Sequence, residues 1–395
     1  MEEYKTVIGN PARKDRYFKR ELIRDKIAES LYGDANILIS APRRIGKTSI
    51  IYNLFDEPLE GYYPIFIEVE SISDSNTFFK EITRKIFDLD QIENFTGITR
   101  KALKSAKEIL SKIKKFNIDL KGEFSIEVKE DQQPDYFEEF TQIISEIDLD
   151  GLKILLLIDE FPVAVENISN KHGVKDAIDF LKLNRKLRQD HQTADKIQFV
   201  YTGSIGLYSI VKGLGATGEI NDLYEIRIPQ LNKKEASRLV YGLLHMYDTE
   251  RIDTEYLLEK IEWRIPFYIQ LITNEIKDIL YENDKIEGRD LIDKAFEELI
   301  EHVNIYFDHF RTRLNKILNK NELDFAKNIL AIISENKEID IKLIPDIAKE
   351  FDVQDTKMKI IEILKYDGYI NNNEDRNIFR FNSPIMREWW LKNVA

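Results

Sequence analysis

Residues 37–51 read ILISAPRRIGKTSII. A run of branched apolar side chains stops at Ser40, a polar and basic loop follows, and an apolar-periodic helix opens at Gly46. A buried strand that passes through a short loop into a helix is the first part of a strand–helix–strand unit, and such units assemble into parallel sheets covered by helices. The alternation continues to about residue 230. ANILISA (35–41), YYPIFIEVE (62–70), LKILLLID (152–159), KIQFVYTG (196–203) and LYEIRIP (223–229) have strand length. Several are apolar on both faces, as strands buried between helical layers are. Between them lie helical patterns such as GKTSIIYNLF, NTFFKEITRKIF and VKDAIDFLKLNRKLRQDH.

One stretch departs from this scheme. Residues 98–116 predict a lysine-rich amphipathic helix, and 117–129, NIDLKGEFSIEVK, alternate like an exposed strand or hairpin. The insertion near 90–135 is read as a solvated decoration or as a surface for self-association or partner docking. After Pro229 the pattern becomes helical, and RIPQLNKKEA marks a strand running into a helix start. The expected domains are an α/β core over 1–230, a helical lid over 231–305, and a linker helix with a terminal unit over 306–395. The terminal unit shows helices near 321–335, 343–351 and 355–366, then a hairpin in GYINNNEDRNIFRF turning at Asn373–Asp375. That is the order of a winged helix-turn-helix.

Composition removes several function classes. The 395 residues include no cysteine, so disulfides, thiolate metal sites and cysteine nucleophiles are excluded. Among five histidines, at 172, 191, 245, 302 and 309, no pair has metal-ligand spacing with a third partner; His302 and His309 share a helical face. No apolar run approaches membrane-span length and no leader-like segment opens the chain, so a cytoplasmic protein with no membrane partner is expected. A net charge of −13 disfavours broad adhesion to nucleic acid. The last 75 residues, 321–395, carry 11 Lys and Arg against 14 Asp and Glu, and the predicted recognition helix mixes Lys357, Lys359 and Lys365 with acids. A DNA-reading module normally shows a basic face, so contact with protein, or autoinhibition, is the favoured role of this unit. Trp389 and Trp390 are read as packing residues rather than a base-stacking platform.

The loop itself matches the phosphate-binding pattern G-x-x-x-x-G-K-[ST] except that Ala41 stands at the first glycine. The match is weak alone and strong between a buried strand and a helix. Gly46 lets backbone approach phosphate, where successive N–H groups and the helix N-terminus favour anions. Lys47 would reach the β and γ phosphates, and Thr48 would ligate magnesium. Pro42 stiffens the loop, Arg43 and Arg44 add charge near the phosphates or contact protein, and Ile45 and Ser49 complete the nucleotide-binding set. ILLLIDE (154–160) has the Walker B form: Asp159 would hold Mg2+ and Glu160 would orient the attacking water. VYTGSIG (200–206) ends a strand with Thr202 and Ser204, either of which would sit beside Asp159 as a γ-phosphate sensor, or simply close the strand. Arg185 and Arg188 are candidates for a finger in a neighbouring subunit's site, or solvated helix arginines.

IGNPARKDRYFKRE (8–21), SAPRRIGKTS (40–49), LLLIDEFP (155–162), TGSIGL (202–207), IPQLNKKEA (228–236), WRIPFYIQL (263–271) and the closing DGYI…FRFNSPIMREWW occur in one order. Together they resemble the archaeal-type P-loop ATPases placed with the signal-transduction ATPases with numerous domains (STAND), within the AAA+ class. The resemblance spans nearly the whole chain. It implies an α/β P-loop NTPase core with a helical lid and a winged helix-turn-helix, and a small residue in place of the first loop glycine. It also implies adenine packing by Ile8, Gly9, Asn10 and Pro11, and a lid proline, Pro266, that approaches the nucleotide; Arg264 stands where that motif usually has glycine. The implied activity is slow, Mg-dependent ATP hydrolysis, with ATP or ADP between core and lid controlling conformation or assembly with a protein partner or a second copy. The alternative is a DNA-binding ATPase, origin-recognition-like or regulatory, that uses the winged helix.

Overall fold

The computed structural model describes residues 3–86, 104, 135–203, 206–282, 285–301, 305–372 and 375–395. Apart from Lys104 and Asp135, the insertion expected near 90–135 lies outside them, as do Ser204, His302, the His309 side chain and the hairpin tip at Asn373. The described chain forms two compact units, neither continuous in sequence. One comprises Arg20–Ser40 and Ile50–Arg227; the other comprises Met1–Lys19, Ala41–Ser49 and Ile228–Ala395.

The first, the sheet unit, contains α1 (Glu21–Tyr32), β1 (Asn36–Ser40), most of α2 (Lys47–Asp56), β2 (Tyr62–Glu68) and α3 (Ser75–Ile86). It continues with α4 (Tyr136–Glu146), β3 (Lys153–Asp159), α5 (Phe161–His172), α6 (Val174–Gln189), the short α7 (His191–Ala194), β4 (Ile197–Thr202), α8 (Leu207–Gly213) and β5 (Leu223–Arg227). All five strands are parallel, in the order β2-β3-β4-β1-β5. The five apolar runs of the sequence are these strands, each a residue or two shorter. The burial of each strand follows from its place. Every residue of central β4 is buried and only Lys153 of β3 is not, whereas edge strand β5 exposes Tyr224, Glu225 and Arg227. Charge on an edge strand discourages further strand addition. One sheet face carries an aromatic core in which Phe78, Phe79, Phe161, Phe180 and Tyr201 meet at ring separations of 4.5–6.3 Å. Each such ring contributes about 1.5–3 kcal/mol through burial.

The second, the helical unit, contains α9 (Lys233–Leu243), α10 (Thr254–Ile261), α11 (Pro266–Glu282), α12 (Gly288–Glu301) and α13 (Ile305–Ile317). Then come α14 (Lys320–Asn336), β6 (Ile339–Asp340), α15 (Ile344–Glu350), α16 (Lys357–Tyr366), β7 (Ile370–Asn371), β8 (Ile378–Phe381) and α17 (Pro384–Asn393). Helix starts are written locally: Asn232 with Glu235, and Asn319 with Glu322, form reciprocal capping boxes at α9 and α14. β6, β8 and β7 make a small antiparallel sheet, and its first strand was not foreseen because two residues carry no periodicity. Trp389 and Trp390 are buried, with Trp390 between the rings of Tyr369 and Phe381.

Arg188 is a structural clamp. Its side chain is 1% exposed; Nε and Nη2 donate to the two carboxylate oxygens of Asp222 at 2.7 and 2.8 Å, and Nη2 also donates to the Glu219 carbonyl at 2.7 Å. That burial removes Arg188 from the candidate fingers. Truncating one member of a buried, hydrogen-bonded ion pair leaves its partner's charge uncompensated, so Arg188→Ala should lower the unfolding free energy by about 3 kcal/mol in denaturant titration. A loss under about 0.5 kcal/mol would contradict the clamp.

Candidate functional site

Parallel strands deliver their carboxyl ends to one edge of the sheet, which is where ligands of open α/β sheets collect. Here β4 lies between β1 and β3. The sheet unit therefore brings two side chains to that edge, Asp159 closing β3 and Thr202 closing the adjacent β4.

At the acidic strand end, Asp159 is 5% exposed and Thr202 fully buried. The Thr202 hydroxyl donates to Asp159 Oδ1 at 2.7 Å, and the Glu160 backbone N–H donates to the same oxygen at 3.1 Å. Thr202 thus fixes the carboxylate's rotamer, and its proton is committed to Asp159. Glu160 takes a left-handed backbone, φ +60°, at the residue before α5, a conformation that costs a non-glycine residue about 1 kcal/mol or more. Glu68, which closes β2 in register with Asp159, escaped the sequence reading. Its signal was an acid at the end of an apolar strand in FIEVE. Burial, then the neighbouring Asp159, Glu70 and Glu160 carboxylates, raise its pKa. Arg185 points Nη1 at the Glu219 carboxylate, 3.6 Å away in the same chain.

The loop belongs to the helical unit. Ala41, Ile45, Lys47 and Ser49 are buried, and Pro42, Arg43, Arg44, Gly46 and Thr48 are half-buried. Left-handed backbone falls at Arg44 (φ +70°) and Gly46 (φ +99°), and Ala41 is not among the positive-φ residues. Alanine at the first position is therefore free of backbone strain, and the left-handed non-glycine residue of the loop is Arg44. A side chain at φ > 0 costs about 1–2 kcal/mol. Arg44 offsets this by placing its guanidinium 4.5 Å from the Phe267 ring centroid and 6.0 Å from that of Phe310, contacts worth about 0.5–2 kcal/mol when desolvated. Burial lowers the Arg44 pKa. Gly46 has open space where a Cβ would lie, so the glycine answers to backbone conformation alone. The Lys47 ammonium donates to the carbonyls of Ala41 and Pro42 at 2.7 and 3.0 Å, which keeps a buried charge satisfied by neutral acceptors.

The N-terminal segment is strapped to this unit. Tyr4 N–H donates to the Gly242 carbonyl, Val7 N–H to Gln270 Oε1 at 2.7 Å, and Ala12 N–H to Ser49 Oγ at 2.9 Å. Between those anchors Ile8 is half-buried, and Gly9, Asn10 and Pro11 are exposed. Pro266 is the first residue of α11. Arg264 has no left-handed backbone; it exchanges N–H···O bonds with Gln230 and Leu231, its Nε donating to the Leu231 carbonyl at 2.9 Å. A side chain thus holds in place a segment where the resembled motif has glycine.

No family model matches the sequence, and no curated protein sequence matches it. Among solved structures the chain is similar to a Walker-type ATPase of Pyrococcus abyssi, with 16% identity and a TM-score of 0.59 over 97% of this chain and 99% of that one. It is also similar to the ORC2 protein of Aeropyrum pernix, solved as ADPNP–ADP complexes, with 13% identity and a TM-score of 0.53 over 94% and 92% of the two chains. The chain shares the fold of these two proteins, with its parallel five-stranded sheet between helical layers and a helical C-terminal region. Within it the β3–β4 pair supplies the Asp159–Thr202 contact. Among the described residues no group of three or more His, Asp or Glu could hold a metal by itself, and no helix is long and apolar enough to cross a membrane.

The Thr202–Asp159 bond generates a test. A hydrogen bond to a charged group contributes about 1.5–3 kcal/mol, so Thr202→Val should lower stability by that order, while Thr202→Ser restores it, as read by thermal unfolding. Equal stability of the valine and serine variants would contradict the assignment.

Proposed function

We propose that the protein is an ATP-binding and slowly hydrolysing molecular switch of the STAND type, acting in the cytoplasm, with a winged helix as its C-terminal module. The observation that carries this reading is Lys47: a buried ammonium in the first turn of α2 that donates to the Ala41 and Pro42 carbonyls of its own loop. Phosphate oxygens carry charge that those carbonyls lack, so the lysine gains by exchanging one set for the other.

The other roles follow from position. Backbone N–H groups from Gly46 to Ser49, at the start of α2, favour the β-phosphate. Thr48 and Asp159 offer hard oxygen donors of the kind that suit Mg2+, and that ion, when bound, offsets charge on the transferring phosphoryl group. Thr202 holds Asp159 in its rotamer. Glu160 orients water, its left-handed backbone setting the direction of the carboxylate. Arg185 would have to leave Glu219 to act as a finger. Ile8 to Pro11, the stretch between the Val7 and Ala12 anchors, are proposed to cover the adenine, and Pro266 to approach the nucleotide from α11. A switch requires that its two states bind nucleotide with different affinity. A protein partner or a second copy is the proposed reader of that difference.

Purified protein should retain ADP or ATP, and Lys47→Ala should abolish that retention in an equilibrium binding assay. Glu160→Gln should still bind ATP but release phosphate at least about 100-fold more slowly. Phosphate release unchanged by Glu160→Gln would remove the assigned role.

A further inference from the structure

The loop's other arginine, Arg43, is held by the C-terminal part of the helical unit. Its backbone N–H donates to the carbonyl of Tyr366, the last residue of α16, at 2.9 Å. Its Nε lies 3.4 Å from Asp367 Oδ1, and Asp367 Oδ2 accepts from Arg313 Nε at 2.8 Å. The Asp367 side chain is 1% exposed. The turn is shaped for this approach: Gly368 has φ +85°, and a Cβ there would lie 3.3 Å from the Arg43 carbonyl oxygen. Any other residue at Gly368 would both strain the backbone and push the loop away.

We propose that Asp367 is a positioning residue for the P-loop: it holds Arg43 in reserve, so that its carboxylate and the terminal phosphate of a nucleoside triphosphate compete for one guanidinium. The inference rests on the nucleotide-binding reading of the loop. Arg43 precedes Lys47 by four residues in the same loop, so its charge is within the field of any phosphate bound there, and a neutralising carboxylate weakens that field. Arg313 lets Asp367 keep a cationic partner when Arg43 leaves, which limits the cost of exchange. A diphosphate offers less charge to the competition than a triphosphate does. The competition therefore discriminates between the two and ties the α16–β7 turn to the phosphate number. Coupling of this kind is reciprocal: what loosens the turn tightens the triphosphate.

The test is a double-mutant cycle on the full chain, reading equilibrium affinity for a non-hydrolysable ATP analogue and for ADP, each with Mg2+. Asp367→Asn should raise affinity for the analogue by about fivefold or more relative to ADP, the lower end of ordinary coupling. The same change in an Arg43→Ala background should leave the ratio unaltered. A second readout on the wild type keeps the proposal exposed if Asp367→Asn does not fold. Hydrogen exchange of the amides of 366–371 should quicken with the analogue relative to ADP, and Arg43→Ala should erase that difference. An unchanged ratio in Asp367→Asn, the same gain with and without Arg43, or exchange indifferent to the analogue overturns the competition while the ATPase reading stands. A wild type that binds neither nucleotide overturns the ATPase reading itself and this proposal with it.

Discussion

Parallel strands end together, and the chain must leave that edge through loops whose backbone cannot be paired within the sheet. The order β2-β3-β4-β1-β5 decides which loops and side chains meet there. With β4 between the strand that feeds the P-loop and the strand that ends in Asp159, a hydroxyl on β4 is the natural neighbour of that carboxylate. The 2.7 Å bond from Thr202 to Asp159 is the result. A fold that paired β1 directly with β3 would leave a buried carboxylate without this donor, at a cost of about 1–3 kcal/mol or more. The sheet order and the chemistry of the strand ends therefore belong to the same constraint.

The loop 41–46 departs from the glycine-rich phosphate-binding pattern at its first position. Alanine at position 41 needs no left-handed backbone, and the residue that does need it, Arg44, is held between Phe267 and Phe310. Both arginines of the loop are engaged by the C-terminal half of the chain: Arg44 by aromatic rings of α11 and α13, Arg43 by the turn after α16. A loop rich in glycine would be conformationally free. This one exchanges that freedom for contacts with the elements that the proposed switch must move.

Much of this was legible in the sequence, for identifiable reasons. The strands were readable because buried parallel strands are continuous apolar runs, and β3 and β4 are buried along nearly their whole length. The strand–loop–helix passage through 36–56 and the acidic end of β3 were readable because each is contiguous. Side-chain pairings across long separations were not readable. Nothing in the local pattern says that Arg188 closes on Asp222, that Gln270 receives Val7, or that the Arg264 Nε donates to the Leu231 carbonyl. Glu68 was missed because one acid at a strand end resembles any surface charge until the register sets it opposite Asp159. The two-residue strand β6 carries no period to detect, and the discontinuity of the units, with 41–49 grouped with 228–395, is a property of contacts rather than of sequence.

In the proposed switch, nucleotide state selects between conformations or assemblies of this chain. The direct measurement is the hydrodynamic size of the purified protein, by sedimentation velocity, with ADP and with a non-hydrolysable ATP analogue, each in the presence of Mg2+. Two different sedimentation coefficients are expected, with Lys47→Ala giving one value under both conditions. Identical coefficients for the wild type with both nucleotides bound would contradict the switch.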